Sequence, residues 1–377
     1  MIGSSPLTDN VDFIKMAEDN GAGAVSVKLT MLVQPIPGLR KMYAERGYYN
    51  FNPSDKRNYF EEGLELVRKA REATDFVLWT NIAGPGEDTD GWIKLGKAME
   101  QAGADALELN FNCPNMGTTP EGGVVVGSGV GKNTELCYLV TNEVKKAVNI
   151  PVYPKVTCDV PDVVAVFKAV ERAGADGIVV NAGYTGAPPI DIYNGGKIKI
   201  RGLEKCSYGG AVGHMNKPYS NRFVGLCAQN TGLTIAGGGG IQTWSDAVES
   251  IMFGSTHTTV CSVIMTEGFG YLRNLNDGLE RFMDENGYAG LADMRGLALN
   301  YICETRELHQ FNIKAPPSFD HEKCVGCGSC EKIGSCGAIE IKGKKAFLIS
   351  EEACQRCSLC AALCPKGAIS FTGGQGI

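Results

Sequence analysis

Eight of the fifteen cysteines in this 377-residue chain fall in its last 54 residues, in two copies of one pattern, Cys324-x2-Cys327-x2-Cys330 and Cys354-x2-Cys357-x2-Cys360. The copies lie 30 residues apart, and the register continues through Gly337-Ala338-Ile339 and Gly367-Ala368-Ile369. Three thiolates at successive x2 steps let one loop hold three corners of an iron–sulfur cube, which is one-electron chemistry. A zinc site needs four ligands and usually pairs two Cys-x2-Cys knuckles. Disulfides need an oxidising compartment, whereas the chain opens with no apolar targeting stretch, so a reduced, cytoplasmic setting is expected.

Cys364-Pro365 closes the second copy as in bacterial two-cluster ferredoxins, which it resembles. The resemblance implies crossed ligation. Cys324, Cys327 and Cys330 would hold one [4Fe–4S] cluster with Cys364, and Cys354, Cys357 and Cys360 the other with the fourth cysteine of the first copy. That cysteine is displaced: the register sets Gly334 opposite Cys364, and Cys336 follows two residues later, giving x5 in place of x3. Gly334 and Gly337 give the arm room to bend, so Cys336 is the expected ligand, with a [3Fe–4S] centre as the alternative.

The length suits a barrel-sized domain plus a small one. With 44% apolar and 21% charged residues the composition is that of a globular chain. A net charge of −6 argues against the basic surface of a nucleic-acid binder, and no apolar run reaches the length of a membrane span. The expected division is a catalytic barrel over 1–310, a linker over 311–317 around Pro316-Pro317, and a small α+β domain over 318–377.

Through the first 300 residues a module recurs, a helix end, a glycine and a short apolar strand: Asn20-Gly21-Ala22-Gly23-Ala24-Val25, Ala102-Gly103-Ala104-Asp105-Ala106-Leu107, Ala173-Gly174-Ala175-Asp176-Gly177-Ile178, and more loosely Phe253-Gly254-Ser255-Thr256. Each reads as a helix C-cap feeding a buried strand. Strands are expected near 2–5, 24–29, 76–81, 105–110, 151–156, 177–181, 233–237 and 257–261. Helices are expected near 9–20, 57–74, 90–102, 133–148, 160–173, 217–231, 243–253 and 267–286. Eight of each predicts a (β/α)8 TIM barrel. A doubly wound sheet is the runner-up. Polar residues at the ends of many strands, among them Lys28, Asn110, Lys155 and Asn181, favour the barrel. The glycine run 237–240 after the seventh strand, with Cys261-Ser262 after the eighth, suits a phosphate site. No dinucleotide or P-loop fingerprint is present.

Leaving the fourth strand is Glu108-Leu109-Asn110-Phe111-Asn112-Cys113-Pro114-Asn115. It resembles the Asn-x-Ser-Cys-Pro-Asn loop of the FMN-dependent dihydroorotate dehydrogenases and of the flavin domain of dihydropyrimidine dehydrogenases. The likeness extends over most of residues 2–265, and the ferredoxin-like tail points to the latter group. It implies an FMN oxidoreductase acting on the C5–C6 bond of a pyrimidine, with Cys113 as general acid/base. A thiol with an ordinary pKa of about 8.5 is a proton donor at neutral pH whose thiolate stays accessible. A pyrimidine edge alternates N–H and C=O groups, and asparagine offers both partners without charge. By resemblance Asn50, Asn110, Asn115 and Asn181 ring the substrate, and Lys28 and Lys155 face the flavin. Gly209, Gly210, Gly239, Gly240, Cys261 and Ser262 hold its phosphate. The Gly-rich stretch from Asn115 to Lys132 is expected to be a mobile lid.

Three features depart from the pattern. Asn112 stands where Ser is usual, Ala182 follows Asn181 where a hydroxyl residue is usual, and the chain begins inside the first strand without the usual N-terminal hairpin, as a misplaced start codon would produce. Without a nucleotide fold of its own, the chain is expected to exchange electrons with an FAD/NAD(P) subunit or a ferredoxin, as a homodimer or hetero-oligomer. The alternatives are a dihydroorotate dehydrogenase, a tRNA dihydrouridine synthase-like enzyme and a non-catalytic electron carrier.

Overall fold

The computed structural model describes residues 1–34, 36–114, 125–312 and 315–371. The chain divides into two compact units, Met1–Tyr301 and Ile302–Ile377.

In the first unit the parallel strands Ala24–Met31, Val77–Ala83, Ala106–Phe111, Val152–Val156, Gly177–Asn181, Thr234–Gly238 and His257–Thr259 pair in chain order, with Asn58–Tyr59 added beside the end of the first. Ile2 bridges both Val25 and Val260 and so closes the ring. The expected first strand at 2–5 is therefore one bridging residue. Ser5 already turns away to cap the 3-10 helix Pro6–Thr8 through the Leu7 N–H. The glycines of the recurring module sit at positive φ, +87° at Gly21 and +103° at Gly103, where a Cβ would be strained. Asp105 and Asp176 in that module accept from the Leu78 and Val152 N–H groups, each at 2.7 Å, tying each turn to the strand before it.

Helices Val11–Asp19, Phe60–Ala73, Thr89–Gln101, Thr134–Ala147, Val163–Arg172, Lys217–Asn230 and Trp244–Met252 turn their apolar faces to the sheet. The helix expected at 267–286 begins at Tyr271 and runs to Asn286, and a short helix Ser262–Glu267, not expected, precedes it, ended by Gly268 at φ +83°. An antiparallel sheet in the order 43–45, 49–52, 209–212, 184–186 was not expected from the sequence. It carries Asn50 and Gly210 to the C-terminal ends of the barrel strands.

The lid expectation needs correcting over 125–132, while 115–124 lie outside the described residues. Val126 is buried and bridges Pro85, and the turn Ser128–Gly131 packs so closely that a Cβ on Gly131 would lie 2.1 Å from the Phe111 carbonyl oxygen. This segment is anchored.

The second unit contains a 3-10 helix Thr305–Phe311, an antiparallel pair Pro317–Phe319 with Ile369–Phe371, a hairpin Ile339–Lys342 with Lys345–Leu348, and a short helix Leu359–Ala362. Its small core of Ile339, Ala346 and Ile369 includes Cys330 and Cys360.

Candidate active site and cluster loops

At the C-terminal ends of the strands lies a cavity of about 260 Å³. Lys28, Asn50, Asn110, Cys113, Lys155, Asn181, Gly210, Gly239, Gly240, Cys261 and Ser262 all line it, so the structure brings together most of the residues picked out from the sequence. Of the other two, one is off its wall. Gly209 is a packing glycine whose Cβ would meet the Asn52 carbonyl at 2.3 Å, and Asn115 lies outside the described residues.

Alternation along a strand puts Glu108 and Asn110 on one face, and sheet register sets Asn81 beside Glu108 and Lys155 beside Asn110. These four form a buried polar layer. Asn81 Nδ2 donates to Glu108 Oε1 at 2.5 Å, Asn110 Nδ2 donates to Asn81 Oδ1 at 3.0 Å, and Lys155 Nζ lies 3.2 Å from Glu108 Oε1. Burial alone would push the Lys155 ammonium down; the Glu108 carboxylate reverses this and holds it above its ordinary value. Asn110 Oδ1 accepts from the backbone N–H groups of Asn112, 3.1 Å, and Cys113, 2.9 Å. Asn110 thereby fixes the start of the cysteine loop, and most of its amide is spent on protein.

Lys28 sits where the pairing of its strand shifts register between Val27 and Thr30, an irregularity of the kind that re-aims a side chain. Its ammonium pairs with Asp55. Beyond the seventh strand, Gly239 and Gly240 take φ +87° and +104°. That turn is held by Asp246, which accepts from the Gln242 and Thr243 N–H groups at 3.0 and 2.8 Å and from Lys217 Nζ at 2.8 Å. Burial would raise Asp246, but these donors outweigh it and hold its carboxyl below the usual range. His214 Nδ1 lies 2.9 Å from the Gly240 carbonyl oxygen. Burial pushes the Cys261 thiol up, outweighing its hydrogen bond with Ser5 and the charges of Lys155 and Lys28.

Among the described residues the wall carries six buried polar atoms without a hydrogen-bond partner: Asn52 Oδ1, Ser54 Oγ, Asp55 Oδ1, Asn112 Oδ1, Asn181 Oδ1 and Thr259 Oγ1. A buried polar atom left so costs about 1–3 kcal/mol. Acceptors gathered on one wall, two lysines and a glycine turn are a donor set that fits a flavin with a ring rich in N–H groups beside it. Asn52, Ser54, Asp55 and Thr259 were not singled out in the sequence. Asn112 lay inside the recognised loop, and Asp55 had no pattern to mark it.

In the second unit Cys324, Cys327, Cys330 and Cys364 surround one small cavity with Gly328 and Pro365, the grouping that crossed ligation requires. Ala368 N–H donates to Cys364 Sγ at 3.2 Å. Gln355, beside Cys354, donates to the carbonyl of Ser335, beside Cys336, at 2.6 Å. These thiols fit iron–sulfur ligation.

Residues 55–283 match the family model for dihydroorotate dehydrogenase, and residues 347–370 match that for the 4Fe-4S binding domain. The NAD-dependent dihydropyrimidine dehydrogenase subunit PreA of Escherichia coli K12 is 31% identical over 340 residues, 87% of this chain and 80% of the relative. The catalytic subunit of dihydroorotate dehydrogenase B (NAD(+)) from Thermoplasma acidophilum is 30% identical over 302 residues, 79% and 94% of the two chains. The crystal structure of DHODH in complex with ferulenol from Eimeria tenella superposes with a TM-score of 0.62 at 18% identity, covering 79% of this chain and 85% of that one, and so shares the fold. The chain belongs to the dihydroorotate dehydrogenase family, as an oxidoreductase whose FMN barrel is followed by a 4Fe–4S domain.

Proposed function

We propose that this chain is the flavin- and cluster-bearing subunit of an enzyme that interconverts a pyrimidine and its 5,6-dihydro form, in the manner of a dihydropyrimidine dehydrogenase. The observation that carries the reading is the single cavity joining Cys113 to Asn50 and to the unpartnered amide oxygens of Asn112 and Asn181. FMN, when bound, supplies hydride chemistry at ring C6, and the clusters supply one-electron carriage. The chain's own residues do the rest. Amides hold the ring edge through its N–H and C=O groups, and a ring lacking one of these leaves a buried amide unpaired. Cys113 Sγ exchanges the proton at C5. Lys28 and Lys155 would hold the flavin's polar edge, and the Gly239-Gly240 turn with Ser262 its phosphate.

Both lysines are already matched by carboxylates, Asp55 and Glu108, which favours an uncharged ring. A second reading, an acidic ring such as dihydroorotate, is favoured by Arg57. This buried residue lines the same cavity, donates to the Ile36 carbonyl at 3.4 Å, and pairs with no carboxylate among the described residues. Electrons would pass to or from a separate FAD/NAD(P) subunit or a ferredoxin, consistent with the PreA relative being named as a subunit. No described helix is long and apolar enough to cross a membrane.

The test is anaerobic purification with about eight irons and one FMN expected per chain, then reoxidation of the reduced protein by uracil and by orotate. Faster reoxidation by uracil supports the proposal. Reoxidation by orotate alone establishes the second reading, and by neither overturns both.

A further inference from the structure

The two cysteine loops share one backbone. Gly326 and Gly328 of the first copy take φ +68° and +77°, and their counterparts Arg356 and Ser358 take +55° and +58° although they carry side chains. Among the differences between the copies, two concern the approach to the fourth cysteine. The arm from Cys330 to Cys336 has five intervening residues where that from Cys360 to Cys364 has three, and Gln355 follows the first cysteine of the second loop where Val325 follows that of the first.

These two differences touch. The Gln355 amide donates to Ser335 O at 2.6 Å, one residue before Cys336, and valine could make no such bond. The start of the long arm is held by the Glu331 and Lys332 N–H groups on Gly328 O and by Ile333 against the small core, whereas at Gly334, just before Ser335, no heavy atom lies within 4 Å of where a Cβ would sit. The short arm is fixed locally instead, with Cys364 N–H donating to Ala361 O at 3.1 Å at the end of the helix Leu359–Ala362.

We infer that Gln355 is a positioning residue for an iron–sulfur ligand: its amide holds the lengthened arm so that Cys336 completes the cluster on Cys354, Cys357 and Cys360. The inference rests on the cluster reading above. Without the amide, the fourth thiolate leaves its corner, and that iron, bound by no other protein ligand, is lost.

The test compares the full-length, anaerobically purified protein with Gln355→Glu, Gln355→Lys and Cys336→Ala, by iron and FMN content and by electron paramagnetic resonance after mild oxidation. Glutamate keeps the size of glutamine but has no N–H to give, whereas lysine restores a donor. Gln355→Glu and Cys336→Ala should both fall from about eight irons to about seven and show a [3Fe–4S] signal approaching one spin per chain. Gln355→Lys should stay near the wild type. Wild-type iron and spectra in Gln355→Glu, with iron lost in Cys336→Ala, would overturn the role of Gln355. So would loss of both clusters from Gln355→Glu, which would mark general unfolding of the unit. Full iron in Cys336→Ala would instead sink the ligand assignment on which the inference stands.

Discussion

Replacing Asn110 with alanine separates two jobs that one asparagine could do in this site. The structure shows three hydrogen bonds to its side chain, one given to Asn81 and two accepted from the N–H groups that begin the Cys113 loop. At a net of about 1 kcal/mol each, their loss removes about 3 kcal/mol. If that energy serves to hold Cys113 against the substrate, kcat/KM falls by about two orders of magnitude. Asn110→Asp offers the control. A carboxylate still accepts from both loop N–H groups but cannot donate to Asn81, and it places a like charge near Glu108. It should keep more of the activity than alanine while losing more stability. The assays are steady-state turnover on the better pyrimidine, FMN content, and the alkylation rate of Cys113, which should rise in Asn110→Ala as the loop loosens. A kcat/KM within threefold of wild type for Asn110→Ala, with FMN retained, would show that the loop does not depend on this side chain.

Cys113→Ala should keep its FMN and clusters and lose about 10²–10⁴-fold in turnover, the usual worth of a general acid/base; undiminished turnover removes Cys113 from the chemistry. Glu108→Gln leaves the buried Lys155 ammonium without its counter-charge and should cost about 3–5 kcal/mol in urea denaturation. The pH dependence should also change sign. Lys155 is held above its ordinary value in the wild type, so its contribution is complete below the unfolded pKa and lost as pH rises through the folded one. In Glu108→Gln, burial acts unopposed and stability should rise toward alkaline pH. Asp246 is held below its ordinary value, so its contribution is present above the unfolded pKa and lost as pH falls through the folded one. Asp246→Ala should therefore lose about 1–2 kcal/mol near neutral pH, with the gap closing in acid, and should bind FMN more weakly by equilibrium dialysis.

The barrel was legible because its signals are local. A helix end with a glycine at positive φ announces a buried strand, as it does before Ala24–Met31, Ala106–Phe111, Gly177–Asn181 and His257–Thr259, and the other three strands of the ring lie within a few residues of their expected places. The antiparallel sheet over the site was not legible for the opposite reason. Its pieces, 43–45, 49–52, 184–186 and 209–212, are three or four residues long, and the pairing that joins its two halves, 49–52 with 209–212, reaches across more than a hundred residues of chain. The second cysteine copy falls within the 4Fe-4S match at 347–370 and the first does not, in keeping with an arm two residues longer than the pattern allows.

Within the site, residue type could say what a side chain offers but not to whom. Asn110 and Asn181 looked alike in the sequence, each an amide at the end of an expected strand. The fold gives Asn110 its partners because Asn81 and Lys155 lie beside its strand in register and the chain turns immediately after it. It leaves Asn181 Oδ1 buried and unpartnered on the cavity wall. A buried acceptor in that state is destabilising until something donates to it, so the free-energy gain on ligand binding should be larger at Asn181 than at Asn110. Asn181→Ala should accordingly raise KM for the pyrimidine with little change in unfolding free energy, while Asn110→Ala should do the reverse. Equal effects of the two on KM would mean that the amides act on the substrate alike, and that the division read from their hydrogen bonds is wrong.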